Sequence, residues 1–381
     1  MDFDLTEEQS ILKDSLDRLL ADKYDFEKRN KIMAQPDGWS GDMWNAYAEM
    51  GLMALPFAEE DGGLGGSPVE TMIVMEALGR ALVLEPYLAT VVLGGGVLRH
   101  GASAEQRAEY VPQVATGELK LALGHTERNS RYDLNHVETT AKKDGDSWVL
   151  SGQNSVVLGG DAADHIFVTA RTGGDTRDPK GIGIFMVDAK AEGLSRRSYA
   201  NQDGTRAAEI SLDGVKVPAG GVIGDPAVGL PVILRVADEA ISALCSEAIG
   251  VMEQLHALTL EYLKVRKQFG VPIGAFQVLQ HKAVDIFVAL EQARSITLYA
   301  TMMANSDDEA ERGRAMNAAK SEIGRAGKLA GENAIQLHGG VGMTMEYAVG
   351  HYFKRMTAID LTFGDHDHHL QRLAERGGLF G

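Results

Sequence analysis

The feature that most constrains this chain is a double change in the spacing of its apolar residues. Through roughly the first 119 residues, and again from about residue 229, apolar side chains recur every three or four positions, as in amphipathic helices. Between these blocks they alternate with polar residues, as in strands. The length of 381 residues exceeds what one hydrophobic core usually serves. The pattern therefore predicts an α+β protein with three domains, at 1–119, 120–228 and 229–381.

Both outer blocks contain signals for particular helices. Thr6 and Gln9 have the spacing of a capping box, which predicts a helix that begins beside them. In the last block, the apolar spacing predicts one long helix over about 232–264, followed by helices over about 276–304 and 308–337. We therefore expect an N-terminal helical domain and a C-terminal four-helix bundle.

The middle block has the pattern of a β domain. Asp144-Gly145-Asp146 separates two alternating segments, which predicts a hairpin. Further strands are predicted at Ile166–Val168, at Ile182–Val187 and over about 210–217. These segments predict a compact antiparallel sheet or β-barrel.

The composition excludes several classes of partner. A formal net charge of −17 would repel a phosphate backbone, so we expect no nucleic acid partner. We also expect no membrane partner, because no apolar run is long enough to span a bilayer. The single cysteine, Cys245, allows no intrachain disulfide. The first residues, Met1-Asp2-Phe3-Asp4, lack the basic start of a signal peptide, so we expect a cytoplasmic protein.

One candidate binding segment begins at Arg266 and ends at Gln277. The forked guanidinium of Arg266 could clamp a phosphate in two places. Gln268 and Gln277 offer amide groups to a ribose or a heterocycle, and Phe269 offers a flat apolar face. On residue types alone, the simpler interpretation is a helix end followed by a glycine and proline stop.

A second candidate segment follows about seventy residues later and runs from Gln336 to Thr344. Its glycines, which include Gly339 and Gly340, would let the backbone approach a ligand closely and point N–H groups at it. The alternative interpretation is a flexible turn between two helices, because a glycine run alone is weak evidence.

Taken together, the two segments resemble those of the acyl-CoA dehydrogenase family. Its members carry Arg-x-x-Phe-Gly-x-x-Ile followed by Phe-Gln, and later Gln-x-x-Gly-Gly-x-Gly, as this chain does. Thr126-Glu127 and the Asp144-to-Gly152 stretch also match the family. The resemblance implies FAD as cofactor, an acyl-CoA thioester as substrate and oxidation of its Cα–Cβ bond. It also implies an electron acceptor such as electron-transfer flavoprotein.

The resemblance also implies which residues bind FAD. In the family, the arginine and glycine segments reach across a subunit boundary to the pyrophosphate and adenosine end of the cofactor. The predicted cofactor-binding residues are Arg266, Gln268, Phe269, Gln277, Gln336, Gly339, Gly340 and Thr126. An oligomer is therefore implied.

The catalytic carboxylate of the family is missing from its usual places. Gly364 occupies the position of the usual glutamate, and the alternative position on the long helix falls on Ala240. Asp365 or Glu239 could serve as the base after a small shift, and Glu247 is a further candidate.

The residues that would hold the flavin ring are also altered. Arg128 follows Thr126-Glu127 where the family has proline, and Val156 and Leu158 replace the Trp-x-Thr pair of the next strand. This loss most resembles the small subunit of two-subunit dehydrogenases of the pimeloyl-CoA and steroid side-chain types. The expected partner is then a homologous large subunit in a heterotetramer of fatty acid or steroid catabolism.

Two alternatives remain open at this point. The chain could be a non-catalytic partner that completes an FAD site, or a desulfinase or lyase of the family that lacks the glutamate. The run Asp365-His366-Asp367-His368-His369 suggests a metal site, but adjacent residues seldom point to one centre, so no metal is predicted. The sequence does not specify the acyl group.

Overall fold

The computed structural model describes residues 5–378; Met1 to Asp4, on which the signal-peptide expectation rests, lie outside the described residues. The helices in the described part of the chain are α1 (Glu7–Lys23), α2 (Phe26–Met33), α3 (Gly41–Glu49), α4 (Pro68–Ala81), α5 (Gly95–Gly101), α6 (Ala104–Ala115), α7 (Leu230–Val265), α8 (Gln277–Met303), α9 (Glu309–His338), α10 (Ala348–Leu361) and α11 (His366–Glu375). The strands are β1 (Leu121–Gly124), β2 (Thr140–Asp144), β3 (Ser147–Leu158), β4 (His165–Arg171), β5 (Ile182–Asp188), β6 (Leu194–Ala200), β7 (Arg206–Pro218), β8 (Val222–Ile223), β9 (Lys267–Gln268) and β10 (Val271–Pro272).

The chain divides into two compact units. The helical unit consists of Met1–Lys31, Pro68–Val83 and Ile241–Gly381, and the sheet unit consists of Ile32–Ser67 and Leu84–Ala240. The boundaries predicted for the three domains therefore stay a prediction.

The predicted helix signals lie where the structure begins its helices. The Thr6 side chain accepts a hydrogen bond from the Gln9 backbone N–H, and the Gln9 side chain accepts one from the Thr6 N–H, so the capping box at α1 is confirmed. The long predicted helix is α7, which extends two residues beyond the expected start and one beyond the expected end. The next two predicted helices are α8 and α9.

Glycines let two helices of the helical unit cross in close contact. A Cβ atom added at Gly250 of α7 would lie 1.9 Å from the Glu76 carbonyl oxygen of α4. One added at Gly79 of α4 would lie 2.1 Å from the Glu247 carbonyl oxygen of α7. Because neither position has room for a side chain, glycine at both sites is what permits this crossing.

The sheet unit is built on one mixed sheet. Its strands follow the order β6-β7-β3-β2-β4-β5-β8, and β1 lies beside β4. The predicted hairpin is β2–β3, whose turn places Gly145 at φ +58°. The expectation of an antiparallel arrangement is wrong at β4, because this strand runs parallel to both β1 and β2.

Two strands have no alternating pattern and were missed in the sequence. Every residue of β1 is buried, so the strand carries no polar alternation. In contrast, β6 lies at the edge of the sheet and is almost entirely exposed. A period of two appears only where one face of a strand is buried and the other is solvated.

Candidate functional site

The Arg266 segment forms a small hairpin directly after α7. Its strands β9 and β10 pair Gln268 with Val271, and the two turn residues Phe269 and Gly270 have φ of +54° and +85°. Two consecutive positive φ values are typical of a tight type I′ turn, which glycine tolerates and phenylalanine adopts only under strain. The Phe269 side chain is 90% exposed. The hairpin therefore presents a large apolar ring to its surroundings at an energetic cost, which favours a binding role.

The glycine segment ends α9 in an open turn. Gly339 caps the helix at φ +61° and ψ −142°, a conformation that is essentially restricted to glycine. A Cβ atom added at Gly339 or Gly340 would have no heavy atom within 4 Å. Both glycines are exposed, so a ligand can approach the backbone of this turn closely, although the Gly339 N–H itself donates to the Gln336 and Ile335 carbonyl oxygens. Gln336, one turn earlier on α9, is exposed as well.

The structure brings these two segments together within the helical unit. Tyr262 lies one turn before Arg266 on α7, and its ring stacks on the ring of His338 with centroids 4.4 Å apart. His338 directly precedes Gly339, so the hairpin and the glycine turn start from neighbouring points. Gln277 is the first residue of α8, just after the hairpin.

Arg266 is an exposed cation in a strongly acidic chain. Its backbone N–H donates to the Tyr262 carbonyl oxygen at 2.9 Å. Across residues 5–378, no carboxylate forms an ion pair with its guanidinium. A cation without a counter-charge, next to open glycine backbone, fits the pyrophosphate of a dinucleotide such as FAD.

Gly364, which occupies the position of the family's usual glutamate, lies in a tightly packed turn. Gly364 has φ +116°, and an added Cβ atom would lie 2.7 Å from the rings of both His368 and His369. The Gly364 carbonyl oxygen accepts a hydrogen bond of 2.6 Å from Nζ of Lys320, which is fully buried. The same Nζ donates to the Asp360 carbonyl oxygen at 2.7 Å. Lys320 therefore fixes this turn from the inside of the bundle.

We expect that the glutamate cannot be restored by one substitution. Gly364→Glu should lower the free energy of unfolding by about 1–3 kcal/mol from backbone strain alone, with the ring overlap adding to that loss. It should give no gain in the rate of acyl-CoA oxidation. The matched control is Gly173→Glu, since a Cβ atom there would have nothing within 4 Å. A stable, faster Gly364→Glu protein would contradict this expectation.

The two other predicted bases are engaged in structural contacts. The Asp365 carboxylate caps α11 and accepts a hydrogen bond from the His368 N–H at 2.9 Å. In the sheet unit, the Glu239 carboxylate contacts Arg99 and His100, each at 2.6 Å. Burial alone would raise the pKa of Glu239, but the charge of Arg99 and the hydrogen bond from His100 outweigh it and lower the pKa to about 2. So low a pKa makes a poor proton acceptor.

Glu247 forms a buried ion pair within the helical unit. Both of its oxygens accept hydrogen bonds of 2.6 Å from the guanidinium of Arg355. Glu247 is 5% exposed. Two parallel hydrogen bonds in a buried setting hold α7 to α10, which is a structural role for the carboxylate.

A buried histidine beside the Gly364 turn, His369, should make the stability of the protein sensitive to acid. Nδ1 of His369 lies 2.8 Å from the Asn317 side-chain oxygen, and Nε2 lies 3.0 Å from the Phe363 carbonyl oxygen. Burial, with the charges of Lys320 and His368, lowers the pKa of His369 to about 3. The unfolded chain binds this proton below pH ~6.5, whereas the folded chain does not until about 3, so stability falls as the pH is lowered from ~6.5.

The expected size of this effect is testable by chemical denaturation. Between pH 7 and pH 5, His369 should account for a loss of about 2 kcal/mol in the free energy of unfolding. The variant His369→Gln should therefore lose less stability than the wild type over the same interval. An equal loss in both proteins would show that His369 does not carry the effect.

The residues that would face a flavin ring lie in the sheet unit. Thr126 follows β1, and its hydroxyl lies 3.1 Å from Nε2 of His125. On β3, Val156 sits in a bulge at φ +52° and is 50% exposed. Val156 has neither an aromatic ring nor a polar side chain, and Leu158 adds no hydrogen-bonding group. This side therefore fits a flavin ring less well than the hairpin and glycine turn fit its nucleotide end.

One group of residues has the composition of a metal site. Ligand atoms of Glu127, His136 and Glu138 lie within 4.8 Å of one another. The chain already supplies donors to them: Glu127 accepts from two backbone N–H groups, and Nδ1 of His136 accepts from Arg177. The protein thus satisfies these atoms itself. The absence of a metal stays a prediction.

Comparisons with family models cover nearly the whole chain. The acyl-CoA dehydrogenase N-terminal, middle and C-terminal domain models match residues 6–118, 122–215 and 228–378. The chain belongs to the acyl-CoA dehydrogenase family. The predicted family, fold class, FAD cofactor and enzyme class are thereby confirmed.

Relatives within the acyl-CoA dehydrogenase family match over nearly their full length. The chain is 29% identical to the probable acyl-CoA dehydrogenase YngJ of Bacillus subtilis, over 98% of both chains. It is similar to the solved Tcur3481-Tcur3483 steroid ACAD, with 28% identity, 97% of each chain covered and a TM-score of 0.86. The ChsE4-ChsE5 complex from Mycobacterium tuberculosis shares the fold at 24% identity and a TM-score of 0.88, with 98% of each chain covered.

None of the helices in residues 5–378 is long and apolar enough to cross a membrane.

One residue beside the candidate site was not singled out from the sequence. It is Lys320, which closes the Gly364 turn. The available signal was its spacing, because it falls on the stripe of buried residues that includes Ala319 and Ile323 of α9.

Proposed function

We propose that this chain is one of two unlike subunits of an acyl-CoA dehydrogenase, and that it completes the FAD site of a homologous partner. The observation that carries the proposal is a contrast within the helical unit. The nucleotide-binding segments are open and exposed, whereas the position of the catalytic glutamate is a closed glycine turn. A subunit with this combination can serve a neighbour's cofactor but lacks the usual base of its own.

The contribution of this chain is positioning and charge. The Arg266 guanidinium would donate two parallel hydrogen bonds to the pyrophosphate, and the exposed backbone at Gly339 and Gly340, which carries no side chains, would let the phosphates approach the turn closely. The adenosine end of FAD would be enclosed by the side chains of Phe269, Gln268, Gln277 and Gln336. When bound, FAD supplies the acceptor for a hydride from the substrate Cβ.

Removal of the α-proton falls to the partner in this proposal. Glu239 is held ionised between Arg99 and His100, Asp365 caps α11, and Glu247 is paired with Arg355. We infer that none of these carboxylates is the base. The partner is expected to carry a glutamate at the position that corresponds to Gly364.

The test is to purify the chain alone and together with a homologous subunit that carries this glutamate. Alone, the chain should retain little FAD and show no oxidation of acyl-CoA. Together, the two chains should retain FAD and oxidise acyl-CoA in the presence of an electron acceptor. Full flavin content and full activity from the chain alone would contradict the proposal. Turnover without any electron acceptor would instead favour a lyase-type reaction.

Variants of each subunit assign the base. In the assembled pair, Asp365→Asn should leave kcat unchanged, because asparagine also caps helices well. Replacing the partner's glutamate with glutamine should abolish the reaction. A large fall in kcat for Asp365→Asn, with FAD still bound, would place the base on this chain.

The remaining properties follow from the same proposal. We propose a cytoplasmic location and electron-transfer flavoprotein as the electron acceptor. Because the similar Tcur3481-Tcur3483 protein is a steroid ACAD, a steroid side-chain thioester is the first substrate to test. A plain fatty acyl-CoA and a dicarboxyl acyl-CoA are the comparison substrates.

A further inference from the structure

His338 lies at the centre of an aromatic cluster beneath the nucleotide-binding segments. Its ring stacks on Tyr262 with centroids 4.4 Å apart and lies 5.1 Å from the ring of Tyr347. The Tyr262 and Tyr347 rings are themselves 6.2 Å apart. The three residues come from α7, from the end of α9 and from the residue before α10. The cluster therefore joins three elements at one point.

Two of these rings lie next to the predicted FAD ligands in the chain. The Tyr262 carbonyl oxygen accepts a hydrogen bond of 2.9 Å from the Arg266 backbone N–H, so the stacked tyrosine and the arginine lie on one turn at the end of α7. His338 is the last residue of α9, and Gly339 follows it directly. A Cβ atom added at Gly342 would lie 3.0 Å from Cβ of His338, so the glycine turn packs against this side chain.

The histidine itself is held in one orientation. It is 3% exposed, and its Nδ1 lies 2.8 Å from the Ala334 carbonyl oxygen, so Nδ1 carries the proton. Nε2 is buried, and no group in residues 5–378 meets it with good hydrogen-bond geometry. Burial lowers the pKa of His338, opposed by the Ala334 and Leu258 backbone. A neutral imidazole with one fixed tautomer is a rigid, flat spacer between the two tyrosines.

We propose that His338 is a positioning residue that holds the Arg266 hairpin and the Gly339–Gly340 turn at the separation that a dinucleotide requires. This inference rests on the proposed function, since it concerns the same FAD. His338 touches no cofactor in this account. It acts through Tyr262 on Arg266, and through the chain itself on Gly339.

The experiment measures the dissociation constant for FAD in the assembled full-length protein that retains it. His338→Leu removes the ring, and we expect binding to weaken by more than about tenfold. His338→Phe keeps a flat ring between Tyr262 and Tyr347, and binding should stay within about threefold of wild type. Weak binding in the leucine variant with rescue by phenylalanine supports the proposal. Unchanged binding in His338→Leu, or equal loss in both variants, would overturn it.

Two controls separate positioning from general loss of stability and from failure of the proposed function. His369→Leu removes another buried histidine of the helical unit, so it should lower stability and leave FAD affinity unchanged. If it weakens FAD binding as much as His338→Leu does, the effect is one of folding and the inference is wrong. Arg266→Leu tests the FAD site itself. If it weakens binding while His338→Leu does not, the inference alone fails; if neither does, the proposed function fails.

Discussion

Arg266→Leu is expected to strip FAD from the assembled protein while leaving the fold intact. The guanidinium is exposed, and no ion pair with a carboxylate involves it in residues 5–378, so its removal breaks no structural contact of that kind. A hydrogen bond that involves a charged group contributes about 1.5–3 kcal/mol, which corresponds to a rise of roughly 10- to 150-fold in the dissociation constant for FAD. The dissociation constant can be measured by titrating the protein with FAD and following the change in flavin fluorescence.

Two companion variants sharpen the result. Arg266→Lys keeps the charge and loses the planar fork, so its affinity for FAD should fall between those of the wild type and of Arg266→Leu. Arg18→Leu is the matched control, because Arg18 is an exposed arginine on α1 of the same helical unit. A dissociation constant for Arg266→Leu within about twofold of the wild-type value would contradict a role for Arg266 in binding the cofactor.

The second large effect is on stability and concerns the pair of Glu247 and Arg355. Glu247→Leu should lower the free energy of unfolding by about 3–5 kcal/mol, because it removes a buried carboxylate and both of its hydrogen bonds from the largely buried Arg355 guanidinium. Arg355→Met should cost a similar amount by leaving the Glu247 carboxylate unpaired. Urea unfolding followed by the helical circular dichroism signal measures both losses.

A double variant tests whether the pair itself is the cause. Glu247→Leu combined with Arg355→Met replaces both charges with apolar side chains, and it should recover most of the stability lost in either single variant. The control is Glu322→Ala, which removes a 2.6 Å ion pair between the partly buried Glu322 and the exposed Arg325 and should cost at most about 1 kcal/mol. Additive losses in the Glu247 and Arg355 double variant would show that the two side chains act independently.

Local patterns in the sequence predicted the elements whose causes are local. The capping box at Thr6, the turn at Gly145 and the length of α7 each depend on residues close together in the chain, and the structure has them where they were expected. The segments of the hairpin and of the glycine turn were also singled out by their residue types, but the hairpin itself and the positive φ of Phe269 were not predicted. The parallel β1 was missed because its burial is set by strand β4, about forty residues later.

The contacts of the candidate catalytic residues could not be predicted in the same way. Glu239 meets Arg99 across 140 positions of sequence, and the Gly364 turn is closed by Lys320 across 44 positions. Contacts over such separations leave no periodic signal in a single sequence. Sequence alone could show that the usual glutamate is missing, and the structure adds that the space for it is filled by two histidine rings.

The most direct measurement is an experimental structure of the assembled complex with FAD bound. We predict that the pyrophosphate lies about 3 Å from the Arg266 guanidinium and beside the Gly339–Gly340 turn, within hydrogen-bond distance. The flavin ring of the same molecule should be held by the other polypeptide. A complex in which the hairpin and the glycine turn face solvent, with no cofactor near them, would contradict the account.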